Sequence, residues 1–282
     1  MAPSLSDLVP QQEPQRIATG FEFTEGPVWH PEGYLLFSDI PADTIYRWSP
    51  SKGVEPYIQP SRSSNGLTFD RQGRLVACEH GGRQVSRMAD DGAMRTVADG
   101  YEGKRLNSPN DLVVHSNGSI YFTDPVYGIQ PGEGELGFRG VFRINTDGSV
   151  DLLVSDFVAP NGLAFSPDES ILYVDDSRRR NTWAFQLRAD GWLSNGRIFV
   201  DQNVEAEGSP DGMKVDQKGN LYITGGGGLW VVDPDGNHLG TIPFPERPAN
   251  LAFGGDDDRS IYVTARTSIY HIRGNVPGVR VF

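Results

Sequence analysis

Short apolar runs recur along the whole chain and are separated by turns rich in Gly, Pro, Asn and Asp. Runs such as LLF, LTF and ILYV are too short for amphipathic helices, and their Val, Ile, Tyr and Phe content is typical of β-strands. No long stretch has the 3.6-residue apolar period of a helix. The pattern therefore predicts an all-β protein with many short strands.

One arrangement, a strand, a polar turn and a second strand, occurs six times. The copies are EGPVWHPEGYLLFSD from Glu25, NGLTFDRQGRLVACEH from Asn65, NDLVVHSNGSIYFTD from Asn110, NGLAFSPDESILYVDD from Asn161, DGMKVDQKGNLYITG from Asp211 and ANLAFGGDDDRSIYVTAR from Ala249. Their first positions are 40, 45, 51, 50 and 38 residues apart, which is about the length of a four-stranded propeller blade. The repeat predicts a six-bladed β-propeller.

The ends of the chain indicate how the propeller closes. After each hairpin the sequence supplies two further strand-like runs, but the sixth copy is one strand short. We expect the N-terminal run QRIATGFEF to pair as the missing outer strand, so that the ring has no open edge. This assigns residues 1–14 to an N-terminal extension and 15–282 to a single propeller domain. A β-sandwich would not need the same hairpin six times, and a β-solenoid has shorter repeats.

The net charge and the single cysteine limit which partners the protein can bind and which disulfides it can form. The net charge of -12 argues against nucleic acid and anionic membranes, which bind proteins mainly through Lys and Arg. Cys78 is the only cysteine, so no internal disulfide can form, and its place in LVAC predicts a buried small hydrophobe. The first residues lack a basic start and an apolar core, so we expect a soluble, cytoplasmic protein.

The first position of each repeat forms a column of oxygen-bearing side chains. In a propeller the first strand lies nearest the central channel, so these positions point toward one axis at one face. The column reads Glu25, Asn65, Asn110, Asn161, Asp211 and Ala249, with Asn250 one place late, in the glycine position. Asn and Asp here are also ordinary turn residues. However, Glu is not, and crowded carboxylates repel unless a cation lies between them.

The column therefore predicts one divalent metal ion. Carboxylate and amide oxygens are ligands that Ca²⁺ prefers, and the column has no His or Cys for a zinc site of the usual kind. We expect Ca²⁺ in the first place, with Zn²⁺, Mn²⁺ and Mg²⁺ as alternatives.

The second strand of each repeat ends at the same face and brings further polar residues to the mouth of the channel. They are Asp39, Glu79, His80, Asp124, Asp175, Asp176 and Arg266. His80 is a candidate acid or base near neutral pH, and a structural role is an equal alternative. The connection after Asp124, PVYGIQPGEGELGFRG, is the longest in the chain and is a candidate lid.

Four motifs in this order resemble one family. They are EGPVW from Glu25, KRLNSPNDLVV from Lys104 with FTDP, PNGLAFSPDESILYV from Pro160 and SPDGMKVDQKGNLYIT from Ser209. Together they resemble the family of regucalcin (senescence marker protein), gluconolactonases and luciferin-regenerating enzyme, from about residue 15 to the C-terminus. The NSPND and TDP forms are similar to those of bacterial sugar lactonases.

The resemblance implies a divalent metal, often Ca²⁺, held by Glu25, Asn161 and Asp211, and implies that Asn110 contacts substrate or is an indirect metal ligand. The regucalcin branch has an Arg two places before this Asn, where the present chain has Ser108. Arg105, three places farther back, is the remaining candidate for that contact, and Asp124 is a third candidate.

The function this predicts is hydrolysis of a sugar lactone to its aldonic acid, as part of carbohydrate metabolism. The metal would polarise the carbonyl while water attacks, and Asp211 or His80 would accept the proton of that water. No G-x-S-x-G motif indicates a covalent nucleophile. Two alternatives remain at this point: a calcium-dependent aryl ester or phosphotriester hydrolase, and a non-catalytic propeller that binds a ligand.

Overall fold

The computed structural model describes residues 3–280 and contains six four-stranded antiparallel sheets arranged as the blades of a propeller. This confirms the predicted fold. Within each of the first five blades the strands follow one another in chain order, from the channel outward. Each of the six repeated sequences forms the two inner strands of one blade.

The chain begins with a short helix, α1 (Leu5–Leu8), and an N-terminal strand, β1 (Gln11–Thr19). Blade 1 consists of β2 (Thr24–His30), β3 (Tyr34–Asp39), β4 (Thr44–Ser49) and β5 (Gly53–Ile58). Blade 2 consists of β6 (Ser64–Phe69), β7 (Leu75–Glu79), β8 (Gln84–Met88) and β9 (Met94–Ala98). A two-stranded ribbon follows, formed by β10 (Gly100–Tyr101) and β11 (Lys104–Arg105).

Blade 3 consists of β12 (Leu112–Val114), β13 (Ile120–Asp124), β14 (Gly140–Ile144) and β15 (Val150–Val154). Blade 4 consists of β16 (Pro160–Phe165), β17 (Ile171–Asp176), β18 (Asn181–Leu187) and β19 (Leu193–Asp201). Blade 5 consists of β20 (Met213–Val215), β21 (Leu221–Gly225), β22 (Gly228–Val232) and β23 (His238–Ile242). Blade 6 contains β24 (Asn250–Gly254), β25 (Ser260–Ala265) and β26 (Ser268–Arg273).

The ring closes through β1, which pairs antiparallel with β26 as the outer strand of blade 6. Ala18 lies opposite Ile269 and Thr19 opposite Ser268. This confirms the predicted closure by the N-terminal segment. The strand begins at Gln11, before residue 15, and the predicted boundary between extension and propeller stays a prediction.

Residues N-terminal to β1 pack on the last two blades. Leu8 and Val9 are buried in an apolar cluster with strands of blades 5 and 6, and Leu5 packs against that cluster. The backbone N–H of Asn275 donates to the carbonyl oxygen of Leu8 at 2.8 Å. This short segment therefore covers the bottom edge of blade 6 rather than extending into solvent.

Hydroxyl groups connect neighbouring blades around the axis. In blades 1, 3 and 5 the next-to-last residue of the second strand donates to the carbonyl oxygen of the column residue in the following blade. Ser38 donates to Asn65 at 2.8 Å, Thr123 to Asn161 at 2.7 Å and Thr224 to Ala249 at 2.8 Å. These bonds fix where each column residue enters the channel. Cys78 occupies the same position in blade 2 and is buried, as predicted.

No helix within residues 3–280 is long and apolar enough to cross a membrane.

Candidate functional site

The column predicted from the repeats lies at one end of the central channel, around a cavity of about 350 Å³. A cavity of this size is within the range of small-molecule sites. The residues predicted from the column and the neighbouring histidine that line it are Glu25, Asn65, His80, Asn110, Asn161 and Asp211. Three blades contribute the predicted metal ligands, so only the closed ring brings them together.

Local backbone geometry turns the column side chains toward the axis. In blades 1, 2 and 4 the pairing of the first two strands is irregular at the column residue, between Glu25 and Val28 in blade 1. Gly26 has a φ of 52°, and a Cβ there would lie 1.9 Å from the carbonyl oxygen of Asn65. The left-handed backbone favours glycine here, and the close approach of the next blade requires it.

Glu25 is buried, and its Oε2 accepts hydrogen bonds from the N–H of Gly26 at 2.7 Å and from Asn250 Nδ2 at 3.0 Å. Burial, with a contribution from the negative charge of Asp111, raises the pKa of Glu25 to about 7. Both hydrogen bonds are made to Oε2, so Oε1 remains available to bind a ligand in the cavity.

Asp211 lies opposite, at the start of blade 5, and is partly exposed to the cavity. Burial raises the pKa of Asp211 well above its ordinary value, and the negative charge of Glu25 adds to the rise. The positive charge of Arg247 and a hydrogen bond with Asn161 act in the opposite direction. Two carboxylates that destabilise each other's ionised form are the environment that a bound cation relieves.

Asn161 is oriented by a short chain of hydrogen bonds. Its Nδ2 donates to Ser177 Oγ at 3.1 Å, and Ser177 Oγ donates to the carbonyl oxygen of Pro210 at 2.7 Å. With the amide nitrogen engaged in this way, the amide oxygen is the end of the side chain that can bind a metal.

The donor set fits a hard cation: two carboxylates and one amide oxygen around one cavity. Among residues 3–280 no three Asp, Glu, His or Cys side chains form a group able to hold a metal ion. A cation held by Glu25 and Asp211 would therefore need further oxygen ligands, from an amide side chain such as that of Asn161, from water or from substrate.

His80 and Asn65 form a pair in the wall of the cavity, with Asn65 Nδ2 3.2 Å from His80 Nε2. Burial lowers the pKa of His80 to about 4, so the imidazole is neutral near pH 7. A group with so low a pKa is a weak base, and the hydrogen bond favours a positioning role.

Two candidates for substrate contact lie elsewhere. Arg105 is exposed on the ribbon, where its guanidinium donates to the carbonyl oxygen of Gly82 at 3.2 Å. Asp124 is fully buried, and its two oxygens accept the N–H groups of Asn107 and Ser108 at 2.8 and 2.7 Å. Neither is among the residues that line the cavity, and a contact of either with substrate stays a prediction.

Two other blades have a carboxylate in the same structural role as Asp124. Asp39 accepts the N–H groups of Glu22 and Phe23, and Asp176 accepts those of Val158 and Ala159. In each of these blades the carboxylate at the end of the second strand holds the segment leading into the first strand. These carboxylates hold the backbone that leads to the column residues, and they are not among the residues that line the cavity.

The connection after Asp124 is anchored at several points. Asn107 Nδ2 donates to the carbonyl oxygens of Asp124 and Phe138, and the N–H of Gly128 donates to Ser108 Oγ at 2.7 Å. A Cβ at Gly128 would lie 2.6 Å from the Cβ of His80. These contacts place the neighbouring Tyr127 in the cavity wall beside Asn161 and Ser177. The loop predicted as a lid thus contributes a fixed wall.

Several residues in or near this cavity were given no functional role in the sequence analysis. Asp111 and Asn250 occupy the glycine position of their repeats, and Asn250 Nδ2 contacts Asp111 Oδ2 at 3.2 Å inside the channel. Their departure from the glycine pattern was the available signal. Tyr127, Arg178 and Arg247 lie in connections between the repeated hairpins, where no repeat could identify them.

A second cavity of about 350 Å³ lies toward the other ends of the first strands. Most of its lining is apolar, including Val28, Leu67 and Leu112, and its carboxylate Glu169 pairs with Arg71 at 3.0 Å. The oxygen-bearing column faces the first cavity, which is therefore the candidate functional site.

Asp175 differs from the residues that occupy the equivalent position in other blades. It occupies the position at which Ser38, Thr123 and Thr224 donate to the next blade, yet it is fully buried and neither oxygen has a hydrogen-bond partner. Burial, reinforced by the charge of Asp211, raises the pKa of Asp175 well above its ordinary value of 3.8.

We predict that Asp175→Asn stabilises the protein, by about 1 to 3 kcal/mol at pH 8, because it removes a buried group that must otherwise ionise or hold a proton. The folded wild type retains a proton that the unfolded chain releases above its ordinary pKa, so wild-type stability falls as the pH rises through that window. The gain should therefore be smallest near pH 4. Urea unfolding at both pH values measures it.

Asp176→Asn is the matched control. Asp176 accepts backbone N–H groups, so an amide nitrogen in place of one oxygen should destabilise the protein. Equal effects of the two changes at pH 8 would contradict this account of Asp175.

Comparison with known proteins relates the chain to a known protein family. The family model described as the SMP-30/Gluconolactonase/LRE-like region matches residues 23–267. A gluconolactonase of Zymomonas mobilis is 35% identical over 91% of this chain and 80% of its own, and a pentonolactonase of Haloferax volcanii is 31% identical over 88% and 83%. The structure of a gluconolactonase from Xanthomonas campestris superposes with a TM-score of 0.87, at 34% identity over 96% of this chain and 92% of that one.

Proposed function

The chain belongs to the SMP-30/gluconolactonase/LRE-like family, and from that membership and the oxygen-lined cavity we propose that it is a lactonase that hydrolyses a sugar lactone to the aldonic acid. The observation that carries the proposal is that Glu25, Asn161 and Asp211 line one cavity. The similar proteins named gluconolactonase and pentonolactonase support sugar lactones as the substrate class.

We further propose that these three residues hold one divalent cation, Ca²⁺ in the first place. A bound cation would supply polarisation of the lactone carbonyl and stabilisation of the negative charge that develops on its oxygen. All three ligands are oxygens, which favours a hard cation.

The remaining chemistry falls to side chains of the cavity. Water adds to the carbonyl carbon and loses a proton, the bond from that carbon to the ring oxygen breaks, and the ring oxygen receives a proton to become a hydroxyl. Asp211 is the base in this proposal, because it lines the cavity beside the proposed cation site, where the attacking water would lie. His80, neutral near pH 7, and Asn110 orient the water and the sugar.

Metal removal tests this proposal. We expect chelation to lower kcat/KM for gluconolactone by at least about a hundredfold and Ca²⁺ to restore it, since loss of one element of oxyanion stabilisation typically costs that much. The rate of acid release, corrected for spontaneous hydrolysis, measures the effect. Undiminished turnover by the stripped protein would refute the metal mechanism.

The same assay distinguishes the alternative hydrolase. A phosphotriester such as paraoxon and an aryl ester are offered at equal concentration to the Ca²⁺-loaded protein. Faster turnover of either ester than of gluconolactone would replace the lactonase proposal with the esterase alternative.

A further inference from the structure

Two arginines at the rim of the candidate site are not used in the proposed chemistry. Arg178 follows β17 and Arg247 precedes β24, so they come from blades 4 and 6. Both side chains line the cavity together with Asp211 and Tyr127, and both residues are exposed. They lie on the path by which a small molecule enters the cavity.

Most other arginines on this face of the propeller are bound to protein groups. Arg62 pairs with Glu79 at 3.5 Å, Arg179 with Asp156 at 3.1 Å and Arg266 with Glu207 at 3.8 Å. Arg83 and Arg180 donate to backbone carbonyl oxygens at 2.8 Å and 2.7 Å. These side chains therefore brace loops and strand ends.

Arg178 and Arg247 differ from this group. In the part of the chain that the structure describes, neither guanidinium forms an ion pair or a side-chain hydrogen bond. A guanidinium carries five N–H donors in a planar fork that matches carboxylate, sulfonate or phosphate oxygens. Two such forks at one cavity, without an internal acceptor, form a site for an anion from outside.

The charge balance of the cavity supports the same conclusion. Of the residues that the structure describes, Glu25 and Asp211 are the only carboxylates in its lining, and a divalent cation held by them would balance both charges. His80 is neutral near pH 7. Arg247 also interacts with the charge of Asp211, but once a cation balances that carboxylate, the positive charges of Arg178 and Arg247 favour a negatively charged molecule at the rim.

We propose that the substrate is a sugar lactone with an anionic group, a carboxylate, sulfonate or phosphate, on the part of the molecule remote from its carbonyl, and that Arg178 and Arg247 bind this group. The inference rests on the proposed lactonase function and deepens it by naming the substrate class. The lactone carbonyl occupies the deep end of the cavity beside the metal ligands, and the anionic group lies at the rim.

The kinetic test compares 6-phosphogluconolactone with gluconolactone, which differ in the anionic group. We expect the wild type to have at least a tenfold higher kcat/KM for the phosphorylated lactone. The double variant Arg178→Gln/Arg247→Gln should lose this preference, and Arg178→Lys/Arg247→Lys should recover part of it. Arg105→Gln removes the same kind of charge from the same face outside the cavity and should keep the wild-type ratio.

A binding measurement makes the result independent of turnover. Calorimetric titration of the Ca²⁺-loaded protein with 6-phosphogluconate and with gluconate should give at least tenfold tighter binding of the phosphorylated acid, and the double glutamine variant should bind both alike. A salt series should weaken the phosphorylated ligand selectively, because exposed charges are screened.

The possible outcomes separate the two proposals. Turnover of gluconolactone with no preference for the phosphorylated forms in either measurement overturns the anionic substrate and leaves the lactonase intact. Selective binding of 6-phosphogluconate that depends on both arginines, without hydrolysis of either lactone, overturns the lactonase and retains the anion site. A preference that survives in the double variant also overturns the assignment to Arg178 and Arg247.

Discussion

Asp211→Asn and Glu25→Gln are each expected to lower kcat/KM for the lactone by about a hundredfold to a thousandfold or more. Each removes one negative charge from the proposed metal ligands, and each leaves a side chain of almost the same shape. Loss of a single group that stabilises a developing oxyanion costs about this much in other hydrolases. Initial rates at saturating Ca²⁺ measure the effect.

Thermal unfolding distinguishes a lost cation site from a damaged fold. Burial disfavours the ionised form of Glu25, so Glu25→Gln in chelator should be at least as stable as the wild type. Addition of Ca²⁺ should raise the Tm of the wild type, because a ligand that binds only the folded state stabilises it, and should not raise that of the variants. Glu32→Gln, in the exposed turn after β2, changes the same charge in the same blade and should respond like the wild type. A normal Ca²⁺ response of both ligand variants would contradict the assignment.

Gly26→Ala is expected to be the most damaging small substitution in the channel. The new Cβ would lie 1.9 Å from the Asn65 oxygen and 2.8 Å from the Asn65 carbonyl carbon, and backbone atoms cannot move aside as a flexible side chain can. A left-handed backbone and overpacking each cost about 1 to 3 kcal/mol. We therefore expect a loss of about 2 to 6 kcal/mol in the free energy of unfolding, measured by urea unfolding.

Gly33→Ala is the matched control, because it separates the two costs. Gly33 also has a positive φ, of 88°, but nothing lies within 4 Å of the position that a Cβ would occupy there. The Gly33→Ala variant should lose only the stability that the left-handed backbone conformation costs an alanine. If both variants lose the same stability, the close approach between blades 1 and 2 contributes nothing.

The repeated hairpins made the fold predictable. Each inner pair of strands has its own apolar pattern and turn, so six copies could be recognised without knowledge of their contacts. The alignment that placed Ala249 in the column and Asn250 in the glycine position is confirmed, because the N–H of Gly212 bonds the carbonyl oxygen of Ala249. The closing strand was predictable because blade 6 lacked one.

The site was predictable only where it coincides with the repeat. Glu25, Asn161 and Asp211 share a register position, whereas Arg247 and Tyr127 reach the cavity from connections whose path depends on tertiary contacts. Asp124 also shares a register position, but the sequence could not show that backbone N–H groups occupy both of its oxygens. The metal identity and the cytoplasmic location stay predictions.

The pairing of β1 with β26 also bears on how the protein is made. During synthesis β1 leaves the ribosome first, and its partner strand leaves after all the other strands. The outer edge that β1 will complete therefore does not exist until β26 has been synthesised, and the contact joins residues far apart in the sequence, such as Thr19 and Ser268. Contacts of such long sequence separation slow folding. The pairing of β1 with β26 then converts an open row of blades into a closed ring.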